Sequence, residues 1–355
     1  MKEVIRACGA AVLLSVLGSA PGMAQAPEGR ILKEDFPFED GWYAEGIKIV
    51  EAKWLPSGGN AAPMRWPTIG QMSWGPQSHV PVEYFLPLGL DKPVAIVMVP
   101  GPGMTSEIFT STPDGREGWA QIFAKAGYSV YVLNPGGNIR PFTMPRTIDE
   151  VWVNWGVGPE AGVPFEDSKF PYEHIGSMDN NWFKFPHLAF VEHTVPLLDD
   201  IGPAVFIGHN VRSDTFFRTL WEDHPNVRGG ILIEPNNCPV GEKEDVERLY
   251  VNGKRALMTL WGDNLERGDP ASHERLADCQ PLMDAVNDAG GYAEVVRLAE
   301  DRGIRGNSNM MFMDTNSADI AAMLMEWIGQ HVNPEPPPEE PRQRRIAERP
   351  PEGMD

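Results

Sequence analysis

The segment Val205-Phe206-Ile207-Gly208-His209-Asn210-Val211-Arg212-Ser213 decides the fold of this chain. Its first residues are apolar and include two β-branched side chains, which is typical of a buried strand, and the residues from Val211 onward follow helical spacing. Very few residues separate the strand from the helix, so the chain has to turn sharply at Asn210. Asparagine is one of the few residues other than glycine that tolerates a positive φ. The segment therefore predicts a strand, a sharp turn and a helix.

Similar apolar runs recur along the chain and alternate with amphipathic stretches. Strands are predicted at residues 94–99, 128–133, 204–207, 230–233, 256–260 and 293–298. Helices are predicted at residues 118–126, 189–201, 211–224, 277–289 and 317–331. Strands that alternate with helices form a mostly parallel α/β sheet with helices on both faces. Antiparallel strands are expected to lead into it over residues 46–86, where Pro81 suggests a sheet edge.

Residues 141–186 form a loop-rich stretch with many Trp, Pro and Gly residues. It follows the second predicted buried strand, which favours a cap over the carboxyl ends of the strands, where ligands bind in such sheets. The aromatic residues of this stretch, with Trp152 and Trp155 as the main candidates, have two open roles. They line an apolar ligand pocket, or they pack the cap onto the core.

Composition excludes one class of function. The chain has 355 residues, and 30 Lys and Arg against 50 Asp and Glu give a formal net charge of −20. A nucleic-acid binder that works through a basic surface is therefore excluded. Hydrophobic residues make up 42% of the chain and charged residues 23%, which is ordinary for a globular protein with a full core.

The two ends of the chain are expected to lie outside this globular domain, which covers residues 25–332. Residues 1–24 have the basic start, short apolar run and small-residue end of a secretory signal peptide. Residues 333–355 hold seven prolines among charged residues and predict a disordered tail. No later stretch is apolar enough to span a membrane, so a periplasmic or secreted protein is expected. In such a compartment Cys238 and Cys279 form either a disulfide or two buried thiols.

Several motifs in a fixed order carry a resemblance to a known family. The turn Gly208-His209-Asn210-Val211-Arg212 resembles the nucleophile elbow of α/β-hydrolases, which is normally Gly-x-Ser-x-Gly. Residues 100–104 stand where that family has its oxyanion loop, and residues 112–119, 127–132 and 303–311 are similar to secreted bacterial esterase-like members. The resemblance covers about residues 60–331 and implies the α/β-hydrolase fold.

The resemblance also implies that two catalytic groups are missing. Asn210 stands at the position of the nucleophilic serine, and a neutral carboxamide is not a useful nucleophile. Asn309 stands at the position of the catalytic histidine, and it cannot accept and return a proton near neutral pH. Glu234 and Asp263 are two candidates for the third member, the carboxylate.

The oxyanion loop departs from the family as well. Pro100 and Pro102 have no N–H to donate, although Gly101 and the donors of Gly103, Met104 and Val211 can still form part of an oxyanion-like ligand site. His209 is expected to pack into the core. No pair of histidines has the spacing of a zinc site, and Gly101-Pro102-Gly103 lacks the Lys-Ser/Thr of a phosphate-binding loop, so neither a metal nor a nucleotide cofactor is expected.

Three function classes follow. The leading hypothesis is an esterase relative that has lost conventional turnover and binds a small hydrophobic or aromatic ligand. The first alternative is a lyase, isomerase or water-mediated hydrolase that uses Glu234 or Asp263 as base in the same pocket. The second alternative is an esterase whose Ser and His residues have moved elsewhere.

Overall fold

The computed structural model describes nine stretches of the chain. These are residues 43–51, 79–87, 92–101, 104–133, 142–143, 152–177, 183–184, 191–263 and 271–332. The predicted signal peptide at residues 1–24 and the predicted tail at residues 333–355 lie outside the described residues.

In the described residues, ten strands form two sheets. They are β1 Tyr43–Glu51, β2 His79–Pro87, β3 Ala95–Val99, β4 Val130–Leu133, β5 Phe142–Thr143, β6 Phe183–Lys184, β7 Ala204–His209, β8 Val227–Ile233, β9 Ala256–Trp261 and β10 Ala293–Arg297. The main sheet has eight strands in the order β1-β2-β4-β3-β7-β8-β9-β10, and β5 pairs with β6. The pairs from β4 to β10 are parallel, whereas β2 is antiparallel to both of its neighbours. This confirms the predicted mostly parallel α/β sheet.

Eight α-helices of the described stretches surround the sheet. They are α1 Glu107–Thr110, α2 Trp119–Lys125, α3 Val191–Ile201, α4 Ser213–Trp221, α5 Lys243–Val246, α6 Ala271–Asp288, α7 Leu298–Arg302 and α8 Ser317–His331. All five predicted helices are present, and α8 has the predicted bounds. The helix predicted at residues 277–289 begins six residues earlier, at Ala271. A 3₁₀ turn, Asn210–Arg212, precedes α4.

One strand prediction was wrong. Pro81 suggested a sheet edge, but β2 lies between β1 and β4. The register explains why a proline is tolerated there: β4 pairs only with residues 82–85 of β2, and Pro81 lies opposite Ile49 of β1. Pro81 therefore has a neighbouring strand on one side only.

Each face of the main sheet is covered by its own apolar core. Ile96, Met98 and Val130 pack on one face with Trp119 and Phe123 of α2. The alternate residues of the same strands pack on the other face with α3, α4 and α6. All five residues of β3 are buried, as expected for a central strand that is covered on both sides.

The predicted cap lies against the loop that precedes α8. The short β5–β6 pair joins the two ends of this stretch. Within it, Phe170 is buried in the same core as α2 and α8. Lys169 binds the loop through its backbone, since its N–H donates to Gly306 O at 2.7 Å and its O accepts from Thr315 N at 2.9 Å. This stretch and the loop therefore share main-chain hydrogen bonds.

Of the two alternatives for the cysteines, the structure has the disulfide. Cys238 follows β8 and Cys279 lies in α6, and their sulfur atoms are 2.05 Å apart. Both residues are buried. The bond fastens the loop after β8 to α6. Among the described residues, no helix combines the length and the apolar character that crossing a membrane requires.

Candidate functional site

The turn after β7 has the backbone geometry that the sequence predicted. Strand β7 ends at His209, Asn210 has φ +54°, and the 3₁₀ turn then leads into α4. Gly208 allows this close approach, because a Cβ at Gly208 would lie 3.2 Å from the Cα of Ser213. Asn210 is half-buried, and its Nδ2 donates to Glu234 O at 3.5 Å. The sharp turn forms although Arg212 stands where the resemblance implies a glycine.

Glu234 and Asn309 are brought together at the carboxyl end of the sheet. Glu234 directly follows β8, has φ +41° and is 1% exposed. Its Oε2 accepts a hydrogen bond from Nδ2 of Asn309 at 2.5 Å, and its Oε1 accepts one from the N–H of Gly262 at 3.2 Å. A positive φ is strained for a glutamate, and such strain persists only where the surroundings hold the residue in place. Glu234 is therefore fixed with its carboxylate against Asn309.

Asp263, the second candidate carboxylate, has a different position. Its Oδ2 accepts a hydrogen bond from the N–H of Gly306 at 2.5 Å, and its own N–H donates to Asn307 O at 3.2 Å. These bonds hold the backbone of the loop that carries Asn309. Of the two candidates, Glu234 is the one whose carboxylate is hydrogen-bonded to the Asn309 side chain.

His209 joins the same hydrogen-bond chain. Its Nε2 lies 2.9 Å from Oδ1 of Asn309. Since this oxygen can only accept, His209 is the donor and carries its proton on Nε2. The two hydrogen bonds thus have the same direction: His209 donates to Asn309, and Asn309 donates to Glu234. The sequence placed Asn309 at the histidine position but did not predict this contact, which joins residues 100 positions apart in the sequence.

The other nitrogen of His209 is packed away from solvent. His209 is 1% exposed, which agrees with the prediction that it packs in the core. Nδ1 faces Gly101, where an added Cβ would lie 2.4 Å from it, and the ring stands edge-on to Phe312. Burial lowers the pKa of His209 to about 4, so the ring is neutral at physiological pH.

The three predicted oxyanion donors differ in whether their N–H groups are available to a ligand. The N–H of Met104 donates to Gly101 O at 3.2 Å and is therefore used within the loop itself. Gly103 lies outside the described residues. Val211 is the first residue after Asn210, and its N–H makes no hydrogen bond to the described residues of the predicted oxyanion loop, Pro100, Gly101 and Met104. It remains the predicted donor at the elbow.

The two candidate tryptophans of the pocket are core residues. Trp152 is 4% exposed and Trp155 is 7% exposed, and both belong to the core that contains α2 and α8. Trp152 Nε1 donates to Val163 O at 3.2 Å, and Trp155 O accepts from the N–H of Asn309 at 3.0 Å. The sequence left open whether these side chains line a ligand pocket or pack the cap onto the core. In the structure they pack in the core. The backbone of Trp155 also holds Asn309 in place.

A buried carboxylate that the sequence analysis missed organises the loop around Asn309. Oδ2 of Asp314 accepts hydrogen bonds from Nδ2 of Asn307 and from the N–H of Ser308, both at 2.8 Å, and Oδ1 lies 2.7 Å from Oγ of Ser308. Arg116 reaches across from the other side and donates to the carbonyl oxygens of Met313 at 2.8 Å and Asp314 at 3.0 Å. Burial raises the pKa of Asp314 to about 7. No pattern in the sequence marked this aspartate.

Within the stretches that the structure describes, no group of three or more His, Cys, Asp or Glu side chains is placed to hold a metal ion.

Comparisons with known proteins bear on the fold of this chain. No family model matches the chain. A probable secreted lipase phiG, from Fungal sp. (strain ATCC 74256), is 24% identical over 315 residues, which cover 70% of this chain and 85% of the lipase. A solved structure described as a novel bacterial esterase superposes with a TM-score of 0.66 at 24% identity, and the match covers 81% of this chain and 96% of the esterase. The sheet order, the turn at Asn210 and this structural likeness together show that the chain has the α/β-hydrolase fold.

Proposed function

We propose that this protein is a secreted or periplasmic relative of carboxyl-ester hydrolases that binds a small hydrophobic ligand without conventional ester turnover. The observation that carries the proposal is the position of Asn309. It is hydrogen-bonded to a buried carboxylate at the carboxyl end of the sheet, where the resemblance places a catalytic histidine, while Asn210 occupies the elbow. The site would therefore keep the shape of a hydrolase site with carboxamides in place of two reacting groups.

The chemistry of these groups supports binding over turnover. A carboxamide cannot attack an ester carbonyl, and Asn309 has no basic nitrogen that takes up a proton near neutral pH. Glu234 accepts hydrogen bonds on both carboxylate oxygens, which suits a group that orients its neighbours. His209 is neutral, donates to Asn309 and has its free nitrogen packed against Gly101, so it is a poor substitute for the missing base.

The proposed binding site lies at the elbow, beside the described residues 152–177 of the predicted cap, where Trp155 O accepts the N–H of Asn309. The carboxamide oxygen of Asn210 supplies an acceptor there, whereas its Nδ2 donates to Glu234 O, and Val211 N–H adds a donor. A secreted lipase among the relatives supports a location outside the cytoplasm and an ester-like, hydrophobic ligand class.

The test uses p-nitrophenyl acetate, butyrate and decanoate with four proteins: wild type, Asn210→Ser, Asn309→His and the double variant. We expect no turnover by the wild type or the single variants. The double variant is expected to gain hydrolysis, and Glu234→Gln added to it should abolish that gain because Glu234 then no longer orients the new histidine. Binding of p-nitrophenyl butyrate to the wild type is followed by saturation-transfer NMR, with Asn210→Trp as the blocked control.

Three results would contradict the proposal. Wild-type turnover that disappears in Glu234→Gln or Asp263→Asn would indicate non-serine chemistry in the same pocket. Wild-type turnover that survives both changes would indicate a catalytic serine elsewhere. Absence of both turnover and butyrate binding would remove the ligand-binding function.

A further inference from the structure

Most polar groups at the proposed ligand site are already hydrogen-bonded within the protein. The carboxamide of Asn309 is bonded on one side to His209 and on the other to Glu234. Both carboxylate oxygens of Glu234 accept hydrogen bonds, and the N–H of Met104 donates within the predicted oxyanion loop. These groups hold one another in place, which leaves the elbow itself to meet the polar group of a ligand.

The carboxamide of Asn210 has a defined orientation at the elbow. Its Nδ2 donates to the main-chain oxygen of Glu234 at 3.5 Å. The opposite orientation would place two acceptor oxygens against each other, so the nitrogen faces Glu234 and the oxygen faces away from it. In the stretches that the structure describes, Oδ1 of Asn210 makes no hydrogen bond, and it is not among the polar side-chain atoms that are enclosed without a partner. Oδ1 is therefore an acceptor that is accessible to solvent.

The next residue supplies a donor. The N–H of Val211 belongs to the first turn of the helical segment that leads into α4, and amides at this position have no acceptor within their own helix. It makes no hydrogen bond elsewhere in the described part of the chain. Because Asn210 and Val211 are adjacent, the acceptor and the donor belong to the same turn. The complementary ligand group therefore carries one donor and one acceptor.

This pattern distinguishes between the polar groups that a hydrophobic ligand can carry. An ester has acceptors only, so it pairs with the N–H of Val211 and places an ester oxygen against Oδ1 of Asn210. An ionised carboxylate also lacks a donor, and it would approach the buried carboxylate of Glu234. A carboxamide has a carbonyl acceptor and an N–H donor on neighbouring atoms, so it satisfies both groups of the elbow. On the basis of the binding function proposed above, we propose that the ligand is a hydrophobic carboxamide and that Asn210 selects it over the corresponding ester.

The test measures the dissociation constants of benzamide and methyl benzoate for the wild type by ligand-observed NMR titration. The two compounds share the phenyl ring and the carbonyl group, and they differ only in an amino group against a methoxy group. We expect benzamide to bind at least about fivefold more tightly, because the ester leaves Oδ1 of Asn210 without a donor. Asn210→Gly accommodates the positive φ and removes this acceptor, so it should bring the ratio of the two constants to about one. Asn236→Gly, at an exposed asparagine in the loop after β8, is the control and should keep the wild-type ratio.

A second measurement needs only the wild type and keeps the proposal testable if Asn210→Gly fails to fold. On addition of benzamide, the amide proton of Val211 should shift downfield in a ¹⁵N-HSQC spectrum, because it gains an acceptor. An unchanged Val211 amide would overturn the proposal, as would equal or tighter binding of methyl benzoate, tighter binding of benzyl alcohol, or a preference for benzamide that persists in Asn210→Gly. Each of these results leaves the ligand-binding function standing. Failure of all three compounds to bind would instead overturn that function, and this proposal with it.

Discussion

At the scale of single residues, Asn309 joins two side chains that are buried at the carboxyl end of the sheet. Its carboxamide has one donor side and one acceptor side, and the two face Glu234 and His209, respectively. Both neighbours are buried, so each needs the partner that Asn309 supplies. The residue is therefore a structural bridge between the elbow of β7 and the loop after β8, in addition to any role toward a ligand.

Truncation of this bridge tests that interpretation. Asn309→Ala leaves the Nε2–H of His209 and Oε2 of Glu234 without Asn309 as their partner, and we expect the free energy of unfolding to fall by about 2 to 4 kcal/mol. Urea unfolding measures the change. Asn236→Ala, an exposed asparagine in the loop after β8, is the matched control and should change the free energy of unfolding by less than about 0.5 kcal/mol. Equal effects of the two substitutions would show that the bridge does not contribute to stability.

The sequence predicted the turn at Asn210 but not the contact between His209 and Asn309. The positive φ at Asn210 follows from the resemblance of residues 208–212 to the nucleophile elbow, whose central residue has a positive φ, and asparagine tolerates that conformation. The contact between His209 and Asn309 does not follow from local rules. It depends on the order in which strands and loops are assembled, and single-residue patterns carry no information about partners so far apart in sequence.

At the scale of elements, the loop before α8 is held by a carboxyl group that titrates near neutral pH. Oδ2 of Asp314 accepts two hydrogen bonds, and its Oδ1 shares one with the hydroxyl of Ser308. If Asp314 is protonated on Oδ1, it donates to that hydroxyl and all three contacts remain. The neutral form therefore fits this loop and avoids a buried negative charge.

This arrangement predicts how stability depends on pH. The native pKa of Asp314, about 7, is raised above its ordinary value of 3.8, so the native state holds a proton that the unfolded chain has released in this interval. The contribution of this group is fully present below the lower value. It is lost as pH rises through the interval, by at most about 1.4 kcal/mol for each pH unit.

Asp314→Asn imitates the protonated form at every pH. It should match the wild type near pH 4 and become more stable than the wild type as pH rises to 8, because its amide can make the same three hydrogen bonds without ionising. Urea unfolding at a series of pH values measures the difference. Asp319→Asn, an exposed position in the first turn of α8, is the control and should show no such trend. A variant that is less stable than the wild type at pH 8 would mean that the ionised form of Asp314 is the one this loop requires.

Strands and helices could be predicted from the sequence where the pattern of apolar and polar residues was uniform along the element. The fully buried strand β3 and the amphipathic helix α8 were predicted correctly for this reason. The position of β2 in the sheet was not, since Pro81 shows only that one position of the strand has no N–H to donate to a neighbouring strand. A proline with a neighbour on one side occurs in an edge strand and equally in a strand that is only partly covered.

At the scale of the whole molecule, the predicted cap and the loop before α8 belong to one connected layer over the sheet. The backbone of Lys169 pairs with Gly306 and Thr315, and Trp155 O holds the N–H of Asn309. Phe170 is 1% exposed and anchors the cap in the core, with its ring 5.8 Å from that of Trp155. The sequence predicted a cap from composition, but the backbone pairing to Gly306 and Thr315 depends on tertiary structure.

If this layer opens as a unit, weakening its anchor should loosen the loop as well. Phe170→Ala removes a buried ring and is expected to cost about 3 to 5 kcal/mol of stability. In native-state hydrogen exchange, the amides of Lys169, Thr315 and Asn309 should all exchange faster, because the partners that protect them lie across the cap contact. Amides of β7 and β8, whose hydrogen bonds lie within the sheet, should keep their protection at low denaturant. Val153→Ala, at a position that is 38% exposed in the cap, is the control and should leave all of these rates unchanged. Equal acceleration in β7, β8 and the cap would show instead that the cap is inseparable from the sheet and opens only by global unfolding, which would leave no separate opening of the cap to admit a ligand.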